Sequence, residues 1–253
     1  MSDPLTPEEL ALYQWQLPVD GFGLEGQRRL KRASVLVSRV GGVGGAVAQQ
    51  LAAAGVGRLV LAHAGPLRVD DLNRQILMSN AGVGRSRVEQ AAERLRQMNP
   101  HLAVEAIAEN VNATNVERLM AGVDVVASCA PLFEERLVLN AAAVRQGKAL
   151  VDSAMFDLDL QVMTVLPGRP PCLACLCPEP PSQWRRQFPV FGAVAGVAGC
   201  LAAMEVIKTV AGIGTPLTGQ MLLGDLRQMT FSKLKIAPRP ECSVCGRTTK
   251  PPY

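Results

Sequence analysis

Two groups of residues in this chain have types and spacings suited to chemistry. The first is a pair of cysteine knuckles, Cys172-x-x-Cys175 and Cys242-x-x-Cys245. Four thiolates in paired knuckles suit a closed tetrahedral zinc site. A closed site leaves no coordination position open, so its expected role is structural: it would staple the C-terminal stretch back onto the body. Cys177 lies two past Cys175 and could compete as a ligand, whereas Cys129 and Cys200 sit in apolar contexts and read as small core residues. The second group is a glycine-rich loop within Ser34 to Gly57, SVLVSRVGGVGGAVAQQLAAAGVG. Gly41, Gly42, Gly44 and Gly45 stand between an apolar run, Val35-Leu36-Val37, and a helical segment, Ala46 to Ala54. Such a backbone can come close to phosphate oxygens, and the helix start supplies N–H donors and the positive end of a dipole. A full Gly-x-Gly-x-x-Gly would place glycine at 39, where this chain has Arg39. Its Cβ disfavours the positive φ that glycine permits. Arg39 either enters the phosphate space or folds over the loop and adds positive charge there.

The surrounding pattern says how these residues are held. Arg58 to Ala62 is a second strand, ending in His63-Ala64-Gly65-Pro66. A nucleotide-binding βαβ unit uses an acidic residue near this point for the ribose; here His63 takes the place, and a polar strand-end residue is the plainer reading. Helices are expected at Ser86–Met98, Thr114–Met120 and Glu134–Gln146, and strands at Leu102–Ala108, Val123–Ser128 and Ala149–Asp152. This alternation predicts an α/β, Rossmann-like, mostly parallel sheet with helices on both faces. Beyond Leu158 the expected elements are a strand at Leu160–Leu166, a mobile loop at Ser182–Pro189, a small-residue helix at Phe191–Val210 and a C-terminal β-hairpin at Gly219–Ile236, ahead of a zinc-stapled tail. At the other end Thr6, Pro7 and Glu9 form a capping-box signal for a helix within Pro4–Leu17, with Tyr13 and Trp15 as packing anchors. A short amphipathic helix at 24–32 feeds the first strand. The whole reads as one domain over 1–253, divided into N-terminal helices at 1–33, a nucleotide-binding-type core at 34–157, and knuckles, loop, helix and hairpin at 158–253.

Composition narrows the classes. With 253 residues, 48% hydrophobic and 19% charged, the chain can bury a sizeable core. The net charge of +4 is spread out, and Arg28, Arg29, Lys31 and Arg32 read as one solvated helix face, so no nucleic-acid partner is expected. No secretory signal is visible, and the uncharged run Pro189–Met204 reads as a buried helix, not a membrane span. Seven cysteines without a signal point to a reducing, cytoplasmic setting and a metal.

Over nearly its whole length the chain resembles the ThiF/MoeB/HesA family, bacterial relatives of ubiquitin-activating enzymes. The resemblance rests on GQRRLKRASVLV before the loop, GGVGGAVAQQLAAAGVGRLVL through it, NRQ at 73–75, VGRSRVEQA at 83–91, MNPH at 98–101, both knuckles, and AAMEVIKTVAG at 202–212. It implies adenylation of the C-terminal glycine of a ubiquitin-like sulfur-carrier protein with ATP and magnesium, a homodimer, and a structural zinc. It implies that Gly41, Gly42, Gly44, Asp71, Arg74, Gln75 and Arg87 face the nucleotide, with Arg74 and Arg87 as the candidate catalytic groups. Several positions depart from the family pattern. Asp71 stands for an asparagine, Arg87 for a phosphate-binding lysine, His63 for the ribose-binding aspartate and Gly65 for a second aspartate. Pro131 stands for the magnesium-binding aspartate, and Trp15 for an arginine given to the partner subunit's site. No cysteine lies in the 182–189 loop, where many members carry a reactive thiol. Proline cannot hold magnesium, a hard cation that prefers carboxylate and phosphate oxygens; Asp152, at a strand end, is a candidate substitute carboxylate. These departures favour a non-adenylating pairing or carrier-binding role, as a homodimer or with an intact relative. The alternatives are an active adenylyltransferase using Arg39, Arg74 and Arg87, and, with less support, a nicotinamide-dependent oxidoreductase, since no acidic residue closes the second strand.

Overall fold

A computed structural model describes residues 5–246. The capping box at Thr6 forms in full: its side chain accepts from the Glu9 N–H while Glu9 accepts from the Thr6 N–H, opening α1 (Pro7–Leu12). The expected helix ran on to Leu17, but α1 gives way to turns after Leu12. Tyr13 is an anchor, buried and accepting from the Asn99 side chain at 2.9 Å. Trp15 is not: it lies in the turns with 88% of its surface exposed. After α2 (Gly23–Arg32) come β1 (Ser34–Ser38), α3 (Gly42–Ala54), β2 (Arg58–Ala62), α4 (Arg87–Met98), β3 (Ala103–Ile107), α5 (Val116–Leu119), β4 (Val125–Ser128), α6 (Phe133–Arg145) and β5 (Ala149–Phe156). The chain then forms β6 (Asp159–Val165), α7 (Leu173–Leu176), α8 (Gly192–Ala211), β7 (Gln220–Asp225) and β8 (Thr230–Lys235).

All eight strands join one sheet in the order β3-β2-β1-β4-β5-β6-β7-β8. Strands β3 to β5 pair in parallel, and β5 through β8 pair antiparallel, so the C-terminal hairpin extends the main sheet. β1 is buried along its length, as a strand covered on both faces must be. One core layer holds α3, α4 and α8 against the sheet through residues such as Leu51, Leu95 and Val206; the other holds α5, α6 and the knuckles through Met120, Leu139 and Leu173.

α8 is long and apolar enough by composition to cross a membrane, but here it packs on α3, α2, β5 and β6. Gly199 makes that contact possible, since a Cβ there would lie 2.5 Å from the Val43 carbonyl oxygen. Cys129 is buried as expected. Cys200 is exposed instead, because it falls on the face of α8 turned away from α3.

Candidate functional site

β1 and β4 are neighbours whose following helices leave on opposite sides of the sheet. A crevice opens at their C-terminal ends, the usual ligand position in open α/β sheets. A cavity of about 130 Å³ occupies it, walled by the turn after β1, the end of β2, the Cys129-Ala130-Pro131 turn after β4, and Ser153 to Met155 of β5. Gly41 caps α3, which has no side-chain cap, so the first-turn N–H groups have no side-chain acceptor there. Gly41 and Gly42 line the cavity. Gly44 does another job: a Cβ there would sit 2.3 Å from the Arg39 carbonyl oxygen, so glycine lets the loop lie on its own helix.

Arg39 adopts the left-handed turn at φ 63° despite its side chain. Such a conformation costs roughly 1–3 kcal/mol and needs outside support. The support is Glu135 on α6, whose Oε2 accepts from both Nε and Nη2 of Arg39 at 2.7 Å. Both residues are buried, and burial pushes the Glu135 carboxyl up in spite of the arginine. Arg39 thus folds across the loop onto α6, lining the cavity with its charge already matched.

Arg74, Gln75 and Arg87 all reach the cavity, and Asp71 organises the two arginines. Asp71 Oδ2 accepts from Arg87 Nη2 at 2.6 Å and Nε at 3.1 Å, while Oδ1 accepts from Arg74 Nη2 at 3.1 Å. Burial alone would raise the Asp71 carboxyl, but the Arg68 N–H, Arg87 and Arg74 hold it below the usual carboxylate range. The third group at Arg87 is His63, whose Nε2 lies 3.4 Å from Nη1. Burial, then Arg87 and Arg39, press His63 down to about 3, so the imidazole is neutral at physiological pH. Its Nδ1 and the Oε1 of Gln75 are buried without hydrogen-bond partners among the described residues. Two unmatched polar atoms beside Gly41 suit a polar ligand group at the end of β2.

Asp152 is engaged elsewhere. It is 1% exposed, accepts from Arg136 Nε at 3.0 Å and Nη2 at 2.5 Å, and takes a third bond from Ser128 Oγ. It does not line the cavity. Pro131 presents only its carbonyl, which accepts from the Trp184 indole at 2.8 Å. That bond holds the 182–189 loop across the mouth, with Trp184 packed edge-on against Phe133 at 5.3 Å and beside Phe156 and Phe188. On the far side of Trp184 a second cavity of about 390 Å³ runs over β5 to β8, sharing Arg136, Ala154, Met155 and Trp184 with the first. Sequence reasoning missed Glu135, Arg136 and Arg186 as parts of the site. Glu135 and Arg136 are consecutive residues in the first turn of α6 and looked like ordinary helix charges.

The four knuckle cysteines converge from elements far apart in sequence, with all sulfurs within 4.8 Å of one another. Cys172 and Cys242 Sγ are 3.8 Å apart, and Cys175 and Cys245 Sγ 3.4 Å apart. This spacing fits four thiolates on one tetrahedral zinc, with metal–sulfur bonds of about 2.3 Å. Burial works against the Cys242 thiolate, yet the N–H groups of Cys245 and Val244 bring it down to about 7. Asn140 on α6 orients the first knuckle, donating to Cys172 Sγ and accepting from the Leu173 N–H. Cys177 is outside the cluster, its thiol bonded to the Glu179 carbonyl.

Fold and site together place the chain among α/β proteins with a glycine-rich turn lining a cavity at the switch point of their sheet. Within that class it belongs to the ThiF family, whose model matches residues 13–244. It is 48% identical to "Protein HesA, vegetative" of Trichormus variabilis, over 96% of this chain and 91% of that protein. It is 38% identical to "Sulfur carrier protein adenylyltransferase" of Thermus thermophilus, over 95% of this chain and 92% of the relative. Among solved structures, E. coli MccB with ATP superposes with a TM-score of 0.80 at 25% identity, over 88% of this chain and 69% of that one.

Proposed function

We propose that this protein binds a nucleoside triphosphate in the cavity at the switch point and uses it to activate the C-terminal carboxylate of a ubiquitin-like sulfur carrier. One observation carries the reading: Asp71 holds Arg74 and Arg87 in fixed positions beside the uncapped N-terminus of α3, so the cradle is formed and cationic. Cations fixed in advance stabilise developing phosphate charge without reorganising during the reaction. The carrier's C-terminus would reach the cavity along the second cavity, under Trp184. In the step itself, a carboxylate oxygen of the carrier forms a bond to the α-phosphorus, the α–β phosphoanhydride bond breaks, and pyrophosphate leaves with its electron pair. The Thermus relative's name, a sulfur carrier protein adenylyltransferase, and the ATP in MccB support this reading.

The cavity does not fit a magnesium ion held by the protein. Among the described residues, Asp71, Glu135 and Asp152 are each paired with arginine, and Pro131 supplies no carboxylate. That observation favours a second reading, a non-adenylating pairing or carrier-binding subunit that acts as a homodimer or beside an intact relative. ATP–pyrophosphate exchange with candidate carriers separates the two. Exchange above background that disappears in Arg74→Ala supports adenylation, and its absence with every carrier tested favours the second reading. The four thiols fit a structural zinc, and a reducing, cytoplasmic setting goes with thiolates kept for a metal.

A further inference from the structure

The arginines of the first cavity are not equivalent. Arg39 is matched by Glu135, Arg74 and Arg87 by Asp71, and Arg136 by Asp152. Arg186 also lines the cavity and makes no ion pair among the described residues. It is carried by the loop across the mouth. Its neighbour Arg185 turns back onto that loop, donating to the carbonyls of Ser182 and Trp184, so it cannot substitute. The loop is fastened at the mouth by the Trp184 indole N–H on the Pro131 carbonyl, backed by Phe133, Phe156 and Phe188, and at its far end by the Asp157 N–H on the Pro189 carbonyl. The residue that provides no metal ligand is therefore the residue on which the arginine-bearing loop docks. The charge of Arg186 reaches inward far enough to act on His63 and Glu135.

We infer that Arg186 is a loop-borne phosphate ligand, closing over the cavity to contact the polyphosphate of a bound nucleotide from within the same chain. This rests on the reading of the cavity as a triphosphate site. The Trp184–Pro131 bond makes Trp184 a positioning residue for Arg186. A guanidinium is suited to the task because it is permanently charged and can present two N–H groups to a phosphate. Unlike the four paired arginines, Arg186 gives up no carboxylate when an anion arrives, so its whole charge is available to the ligand. The ligand class follows: a group with several anionic oxygens, in preference to a nucleoside or a monophosphate.

The test is calorimetry on the full chain with ATP, AMP and inorganic tripolyphosphate, each in EDTA, for wild type, Arg186→Ala, Arg186→Lys and Trp184→Phe. Losing a charge-assisted contact should weaken ATP about tenfold or more in Arg186→Ala and leave AMP within about threefold. Arg186→Lys should recover part of the loss. Trp184→Phe, which keeps a ring and removes the N–H, should shift ATP in the same direction by a smaller factor. Equal losses for ATP and AMP, or ATP affinity unchanged in Arg186→Ala, would overturn the inference. Pyrophosphate exchange that persists while Arg186 has no effect on ATP would leave the adenylation reading standing and remove this one. Tripolyphosphate binding that depends on Arg186, without any ATP binding, would overturn the inference too, because no nucleotide would then present its phosphates to the loop. If wild type binds neither, both fall.

Discussion

His63 should make this protein acid-sensitive in a window its carboxylates do not explain. The imidazole is 4% exposed and faces Arg87 and Arg39, with its folded value near 3 against an ordinary value of 6.5. The sign follows from proton counts. Between those values the unfolded chain binds a proton at this position and the folded chain does not, so stability falls as pH falls. The contribution is complete above about pH 7 and is lost progressively toward pH 3. From pH 6.5 to 4.5 the single site is worth about 2 kcal/mol, and the result barely changes if the folded value is a unit higher. Urea unfolding at pH 6.5, 5.5 and 4.5 on wild type and His63→Gln measures it. The variant's absolute stability does not matter, because only the difference in slope is read. Wild type should lose about 2 kcal/mol more than His63→Gln across the interval. Slopes agreeing within about 0.5 kcal/mol would mean that the imidazole accepts a proton in the folded state, and the reasoning about its surroundings would be wrong.

Other perturbations follow from the same ion pairs. Metal analysis should find one zinc per chain, and a strong chelator should destabilise the protein by several kcal/mol, visible as a lowered unfolding midpoint. Glu135→Gln should cost about 3–5 kcal/mol by stranding the buried Arg39, and adding Arg39→Gly should return most of it, since glycine also relieves the positive φ; denaturant unfolding of the double-mutant cycle reads the coupling. Asp71→Asn should weaken the hold on Arg74 and Arg87, cost about 2 kcal/mol or more of stability near neutral pH, and remove the part of the acid dependence that comes from protonating Asp71 as pH falls through its lowered value.

Most of the architecture was legible because period and punctuation agree. The parallel core, the hairpin and the helix beginning with its capping box all carry local signals, and the knuckles announced their own convergence. The sequence hid what depends on direction in space. Trp15 looks like an anchor by type but falls in turns with nothing above it. Arg39 offered two readings, and only the position of Glu135, 96 residues on, decides between them. Asp152 looked available as a strand-end carboxylate until Arg136 and Ser128 were found on it. The misses at Arg39 and Asp152 each involve a charge whose partner lies on another element, where no sequence period can report it.

The substitutions around the cradle also look different once their partners are known. Position by position, a histidine at 63, an aspartate at 71 and an arginine at 87 read as three separate departures from the pattern the family resemblance implies. In space they are one contact group, with Arg87 between His63 and Asp71. At these three positions the implied set has one carboxylate, one amide and one cation, and the observed set one carboxylate, one neutral imidazole and one cation; the second aspartate of the implied pattern is gone at Gly65, where a Cβ would lie 3.7 Å from Arg87 Nη1. The carboxylate has moved to 71, where Arg87 binds it through two nitrogens and Arg74 through a third. A lysine at 87 has no fork to use that geometry, and an aspartate at 63 would put a second carboxylate on the same guanidinium. Each of the three residues therefore makes sense only with the other two.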